Sequence, residues 1–521
     1  MIIKTYVLIQ ARLGSSRLYQ KNLLPIGKSS LIEFCYRNVC LNNEKFKTVV
    51  LIPDDNKNKL LEEELKKKKI KYFKGSETNV LLRFSQYLIN KQENCNVVRL
   101  TSDNPFVDRG FIKFCLKIYE ENNLDYFFSH DNLKYNPYGL SVEVFKACKI
   151  FESIKNSKTK KNQEHVTTYI KKKYSKRTKF FCRYFKKSCS KLNLSIDNHN
   201  DFRVIKRVLE KNKFINYKNI SNISFDKIQD QKGNKSKILI GGVQIGKKYF
   251  SNEKITQKRA NQILNSAIKN KINFIDTASD YGKSEQFIGN FSLKKNFSFY
   301  ISTKLNSLKG HKNHNYIRDK ITRSVINSLK LLNVDQLDYF FIHNPKDLKN
   351  KLIIDELQKF KKTGLIKKLG ISIYETKDLK FLKKSIFESI QIPFNLFDHR
   401  FIYFIKKNKK FKIFVRSLLL RGNIKKNNIL LPKKNKYSTL LKKIELFRKE
   451  YNYKNYFDLS FSFINSFKSI SYFILGFQKA KQLKLLRSLQ RAKPMNKEKL
   501  KKILFIIKSS SVSENIDLRK W

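Results

Sequence analysis

Residues 273–278, NFIDTA, form a short apolar run that closes on an aspartate and small polar residues, and runs of the same kind recur through the second half of the chain. ILIGGV (238–243) precedes it. FYISTKL (299–305), DYFFIHN (338–344), KKLGISIY (367–374), SIQIPFN (389–395), KIFVRSLL (412–419) and SYFILGF (471–477) follow, with helical stretches between them. Eight strands interleaved with helices over about 240 residues are the arithmetic of a (β/α)8 TIM barrel. Ligand chemistry in such a barrel lies at the C-terminal ends of the strands. Those ends carry Asp276, Lys304 and His343, with Tyr281 in the loop after the second strand.

Those four residue types suit one reaction. Reducing a carbonyl by hydride needs a proton donor at the oxygen, and a tyrosine can serve if a lysine ammonium lowers its pKa. An aspartate paired with the lysine keeps it charged and oriented, and a neutral histidine can polarise the same oxygen. Tyr281 is therefore expected as acid/base, Lys304 as its tuner, Asp276 as the lysine's partner and His343 as the carbonyl orienter.

The order and setting resemble the aldo/keto reductases: FIDTASDYGKSEQFIG (274–289), STKL, DYFFIHN, GISIYE, IQIPFN, VRSLLLRG, ILGFQKAKQL and the terminal DLRKW, over residues 237–521. The resemblance implies an NAD(P)H cofactor across the barrel mouth. Ser372 and Gln391 would hold the nicotinamide amide, and Arg416, Ser417, Gly476 and Gln482 the pyrophosphate and adenosine arm. Lys479 and Lys481 lean the expectation toward NADPH over NADH.

Upstream of the barrel the composition changes. All seven cysteines, from Cys35 to Cys189, lie in the first 189 residues without a C-x-x-C pair, and read as reduced, mostly buried thiols. The polar stretch 226–236 (DKIQDQKGNKS) reads as a linker, so residues 1–225 form a first domain and 237–521 a second.

The first domain opens with an apolar strand, TYVLIQ (5–10), then ARLGSSRLYQKNLLPIG (11–27) and a helix-period segment. Strand, anion-binding loop and helix in that order make an α/β nucleotide site of Rossmann-like type. Gly14 lets the backbone approach a phosphate, Ser15 and Ser16 offer hydroxyls and N–H groups, and Arg12, Arg17 and Lys21 can neutralise a triphosphate. The run resembles the opening motif of the cytidylyltransferases that activate acidic sugars, especially the spore-coat polysaccharide branch. The resemblance continues through VVLIPDD, FKGSETNVLLRF, VVRLTSDNPFVD, YGLSVEVF, NQEHVTTYI and LSIDNHNDFRVIKRVLE, in the family's order. It implies a nucleotidyltransferase (GT-A-like) fold that binds CTP through the basic loop and Arg83, with Mg²⁺ held by Asp103 and Asp197 and a small acidic sugar as acceptor. Both aspartates follow apolar runs, VVRLTS and LNLSI, where α/β sheets place ligands. Tyr19-Gln20 interrupts the family's L-P-x-K, and Asn79 replaces the aspartate of D-V-L-x-R. Glu164 and His165 are open between substrate contact and helix cap.

The chain has 521 residues and a formal charge of +67 spread over both halves. Hydrophobic residues at 41% are ample for buried cores and exclude a largely disordered chain. The Lys excess comes with abundant Asn, Ile, Phe and Tyr, so it reads as composition with solvated lysines. No zinc-finger spacing or RNP-type motif points to specific nucleic-acid readout. With no apolar stretch of about 18 residues, membrane insertion is not expected and a cytoplasmic enzyme is. The leading expectation is a bifunctional enzyme of activated-sugar and surface-polysaccharide synthesis. The alternatives are a reductase with a non-catalytic nucleotide-binding domain, and a polyanion-binding module.

Overall fold

A computed structural model describes residues 3–130, 135–156, 159–181, 184–185, 189–212, 215–225, 232–247, 256–308, 310–382, 386–431 and 437–509. The chain divides into two compact units, Met1–Gln229 and Asp230–Trp521.

In the first unit, β1 (Thr5–Gln10) is followed by a two-stranded hairpin, β2 (Pro25–Ile26) and β3 (Ser29–Ser30), then by β4 (Phe46–Pro53), β5 (Tyr72–Gly75), β6 (Asn96–Thr101), β7 (Tyr126–Phe128) and β8 (Glu143–Lys146). Six of these form one sheet in the order β5-β4-β1-β6-β8-β7. β1 runs parallel to both β4 and β6, and β8 runs antiparallel to both β6 and the edge strand β7. Val7, Leu8 and Ile9 are all buried, as expected of a central parallel strand covered on both faces. Because the chain leaves β1 for β4 on one side and later returns to β6 on the other, the crevice beyond the C-terminal ends of β1 and β6 is a topological switch point. The loops after those two strands carry the basic motif and Asp103.

The LNLSI run before Asp197 departs from the strand expected of it. It makes only an isolated bridge, Asn193 with Tyr138, and its amides bond elsewhere: Leu194 N–H donates to Tyr138 O at 2.7 Å and Ile196 N–H to Asp103 O at 2.9 Å. Leu194 and Ile196 are nonetheless fully buried, which is why the run looks strand-like in sequence.

The second unit is a closed barrel of eight parallel strands: β9 (Ile238–Gly241), β10 (Phe274–Asp276), β11 (Tyr300–Leu305), β12 (Leu337–Ile342), β13 (Ile366–Ser372), β14 (Ser389–Pro393), β15 (Lys412–Arg416) and β16 (Ile470–Gly476). Each expected run supplies one strand. The interior is packed rather than open: Leu239, Phe274, Tyr339, Phe341, Phe414 and Ile474 form one cluster, with Tyr300 and Tyr472 against it.

Of the expected linker, residues 226–231 lie outside the described residues, as does the terminal DLRKW. Residues 232–236 are fastened to the barrel. Lys232 pairs with Asp338 at 3.0 Å, Asn273 Nδ2 donates to the carbonyls of Lys232 and Asn234 at 2.6 and 2.9 Å, and Tyr300 OH donates to Gly233 O at 2.8 Å. The Lys235 ammonium stands 5.1, 4.3 and 4.8 Å from the ring centroids of Phe274, Tyr300 and Tyr339, and burial there pushes it down to about 8. No helix among the described residues is long and apolar enough to cross a membrane.

Candidate active sites

In the barrel, neighbouring strand ends bring the expected residues together. Register pairs Asp276 with Ser302 and Ser372 with Gln391. Lys304, fully buried, donates to Asp276 Oδ2 at 2.8 Å and to Thr277 O at 2.8 Å. Its ammonium lies 5.0 Å from the centroid of the Tyr281 ring. Burial disfavours the charged lysine, but Asp276 and Tyr281 outweigh it and its pKa is raised. Asp276 Oδ1 accepts from Ser302 Oγ at 2.8 Å and Gln391 Nε2 at 2.9 Å, and Ser372 Oγ donates to Gln391 Oε1 at 3.3 Å. The pair of charges thus sits in a buried network with its remaining lone pairs occupied.

The Tyr281 phenol behaves differently from the simple expectation. Burial raises its pKa most, and the opposing pull of Lys304 does not overcome it. The group is therefore a proton donor at rest, not a tyrosinate. The His343 ring stands edge-on to Tyr281 with centroids 6.5 Å apart. Burial, with Lys304 nearby, pushes His343 down to about 4, so the imidazole is neutral at ordinary pH. Its Nδ1 faces Asp280 Oδ2 at 3.8 Å.

A cavity of about 730 Å³ opens at this end of the barrel, and its wall includes Asp276, Tyr281, Arg416, Ser417, Gly476 and Gln482. An added Cβ on Gly476 would meet the end of the Gln244 side chain at 2.3 Å, so Gln244 lies directly against that glycine, and Gly241 packs against the Gly476 backbone. The Arg416 guanidinium stacks 3.7 Å over the Tyr374 ring and donates to Ile373 O at 3.3 Å. Gln482 Oε1 accepts from the amides of Gln478 and Lys479 at 2.7 and 3.0 Å and so shapes the loop after β16. A groove joining a buried proton donor to a basic, glycine-walled arm suits an extended dinucleotide. Ser302, Tyr374 and Asp280 escaped the sequence reading. Of the three only Asp280 has a local signal, as a carboxylate adjacent to Tyr281.

In the first unit the basic loop follows β1 directly. Lys21, buried, pairs with Asp103 Oδ2 at 2.7 Å; Arg17 pairs with Asp197 Oδ1 at 2.9 Å; Arg12 pairs with Glu164 Oε1 at 3.0 Å. Burial works against the Asp103 carboxylate, but Lys21 and then Thr101 hold it below its ordinary range. Asp197 is positioned by the next helix, His199–Lys211: Asp201 Oδ2 accepts from the amides of Asp197 and Asn198 at 3.0 Å each, and Asn198 completes the capping box. Tyr138 OH donates to Asp197 Oδ2 at 3.3 Å, and both Asp197 and Asp103 raise its pKa, behind burial as the largest cause. The two carboxylates therefore share one neighbourhood. Two hard oxygen groups beside a basic loop suit Mg²⁺ completed by nucleotide phosphates. Among the described residues no group of three His, Cys, Asp or Glu gathers for a protein-only metal site.

Gly14 has nothing within 4 Å of where a Cβ would stand, so the space in front of the loop is open. Leu18 N–H reaches Ser15 Oγ at 3.4 Å, and Ser16 is exposed in the same loop. Tyr19 stands where the family pattern has its proline, and the next residue, Gln20, takes φ 58, yet Lys21 remains on Asp103. Arg83 has another task. It is buried, and its Nε and Nη2 donate to Ser76 O at 3.0 and 2.7 Å, which ties down the turn before its helix. Burial, then Arg12, pushes it down to about 10.

Comparison with known proteins finds a family model for each part of the chain. The family model described as "Aldo/keto reductase family" matches residues 237–504, and that described as "Cytidylyltransferase" matches 6–265. The two overlap at 237–265, which the fold assigns to the barrel, since β9 closes it between β10 and β16. The spore coat polysaccharide biosynthesis protein SpsF of Bacillus subtilis is 29% identical over 210 residues, covering 39% of this chain and 85% of that protein. A cytidylyltransferase structure from Leptospira borgpetersenii is 23% identical with a TM-score of 0.37, over 44% of this chain and 100% of that one. A glycerol dehydrogenase structure from Gluconobacter oxydans is 21% identical with a TM-score of 0.42, over 53% and 92%. With a matched reductase barrel over half its length and a matched transferase domain ahead of it, the chain belongs to the aldo/keto reductase family as a fusion with a cytidylyltransferase domain.

Proposed function

We propose that the chain is a bifunctional enzyme of activated-sugar synthesis for a surface polysaccharide, whose barrel reduces a carbonyl with NAD(P)H and whose first unit transfers a cytidylyl group from CTP to a small acidic sugar. The observation that carries the first half is the buried Asp276–Lys304 pair beneath a protonated Tyr281, with a neutral His343 beside it. NAD(P)H, when bound along the Arg416–Gly476 wall with Ser372 and Gln391 at its nicotinamide, supplies the hydride. Tyr281 donates its proton to the carbonyl oxygen as charge develops there. Lys304 stabilises the tyrosinate left behind, Asp276 keeps Lys304 charged and aimed, and His343 lends the oxygen a hydrogen bond that fixes its approach.

The Asp103 and Asp197 carboxylates, sharing one neighbourhood with the basic loop, support the second half. Mg²⁺ held there would neutralise charge on the α-phosphate and on departing pyrophosphate. Arg12, Arg17 and Lys21 orient the triphosphate for attack by a sugar hydroxyl, and Gly14 to Ser16 supply amides and hydroxyls to it. The name of the Bacillus subtilis relative favours a polysaccharide setting.

The test is direct. With CTP, Mg²⁺ and a panel of acidic sugars, pyrophosphate release is expected, and with NADPH and carbonyl substrates, cofactor oxidation. Tyr281→Phe should cut the second rate by about 10²-fold or more while NADPH binding persists. Near wild-type reduction by that variant refutes the reductase assignment. CTP binding without pyrophosphate release for any sugar would leave the first unit a non-catalytic nucleotide-binding module.

A further inference from the structure

Each cation of the phosphate loop faces a carboxylate from a different part of the first unit, but the three pairs are unequal. The Lys21 and Asp103 side chains are 10% and 24% exposed, whereas Arg12 and Glu164 are 57% and 52% exposed. An ion pair in water is weak and yields readily to a better partner. Asp103 and Asp197 have a place in the proposed metal site. Glu164 has none, and it comes from a part of the chain 152 residues away.

The backbone behind Glu164 is unusual. Val166 has φ 50 and ψ −58, a positive-φ conformation that a β-branched residue rarely takes, and Thr167 N–H closes a three-residue γ-turn onto His165 O at 2.5 Å. The turn is clamped from behind: Val166 is 1% exposed in the core, and Thr167 Oγ1 donates to Glu143 Oε1 at 2.9 Å, a carboxylate that also pairs with Arg99. Strain held by its surroundings in this way is a mark of functional segments. Here its product is a carboxylate presented to a phosphate-binding arginine.

We propose that Glu164 is a guard on the nucleotide site: it occupies Arg12 in the nucleotide-free protein and competes with the triphosphate for it, setting nucleotide affinity without contacting nucleotide or metal. This rests on the reading of the first unit as a CTP site. A ligand that engages Lys21, Arg17 and Arg12 together displaces the guard, because multiple charge-assisted bonds replace one solvated pair. An anion reaching Arg12 alone gains little over Glu164. Glu164 is thus a positioning residue that favours triphosphates over shorter anions.

Titration calorimetry of the full chain with CTP, in EDTA and in Mg²⁺, tests this. A folded wild-type chain that binds no CTP overturns the CTP reading itself, and the guard with it. If wild type binds, Glu164→Gln is expected to tighten CTP about two- to fivefold, the worth of one exposed pair. The factor should be the same with and without Mg²⁺, since Glu164 is no metal ligand, and should vanish in an Arg12→Gln background. Unchanged or weaker binding, or a gain that persists without Arg12, overturns the guard and leaves the CTP reading standing. Glu164→Ala should repeat the sign, and a wild-type thermal melt of the first unit in each variant reports that the unit carrying Arg12 and Glu164 is folded.

Discussion

Replacing Lys304 by methionine separates what the buried pair does for stability from what it does for chemistry. The Lys304 and Asp276 side chains are 1% and 5% exposed and 2.8 Å apart. Removing the ammonium leaves Asp276 with Ser302 and Gln391 on Oδ1 but nothing on Oδ2, a buried charge without its counter-ion. Breaking such a pair from one side costs about 3–5 kcal/mol, which for a unit of this size lowers its melting temperature by on the order of 10 °C. Turnover should fall by about 10²-fold or more, because Tyr281 loses the one group that favours its ionised form. The double variant Asp276→Asn with Lys304→Met removes both charges. It should recover stability to within about 1–2 kcal/mol of wild type, since neutral replacement of a buried pair is often tolerated, while turnover stays low. Thermal melts of the barrel, followed alongside NADPH oxidation, read both quantities. If Lys304→Met keeps turnover within about tenfold, or if the double variant recovers turnover together with stability, the pair is a structural one and the proton-transfer assignment fails.

Reductase turnover should hold as pH falls from neutral and drop only toward pH 4, where His343 takes up its proton. Barrel stability should decline from about pH 6.5 down to 4, because the unfolded imidazole binds a proton that the folded one refuses. A rate that instead falls across pH 6–7 would show His343 titrating normally. Asp103→Asn and Asp197→Asn should each abolish Mg²⁺-dependent nucleotidyl transfer and leave NADPH oxidation unchanged; full transfer in both variants refutes the metal assignment. A barrel fragment starting at residue 237 should melt below one starting at 231, since only the longer keeps the Lys232–Asp338 pair and Lys235 among its three rings. Equal melting temperatures would mean that residues 232–236 add nothing.

Eight apolar runs at barrel spacing and a basic Gly/Ser loop after a strand are local properties, so the fold class and the gathering of Asp276, Tyr281, Lys304 and His343 at one barrel mouth could be read directly from the chain. Strand ends in a barrel all face one mouth, and this alone makes Asp276, Lys304 and His343 neighbours despite their separation in sequence. What could not be read depends on which segment lies beside which. Gln391 becomes a partner of Asp276 only through the barrel interior, 115 residues away. Arg83 carries the charge of a phosphate ligand but is spent on backbone carbonyls, because its helix turns it inward toward Ser76. The LNLSI run has a strand's apolar pattern and full burial, yet its amides bond to Tyr138 and Asp103, so burial alone produced the pattern. Residues 232–236 have a linker's composition and a barrel's contacts, since polar backbone and a lysine stem can pack on aromatic rings as well as in water. Composition and period are set along the chain, but hydrogen-bond and charge partners are chosen across it. The pairing of Arg12 with Glu164, and the sign of the Tyr281 shift, were therefore decided by the tertiary structure.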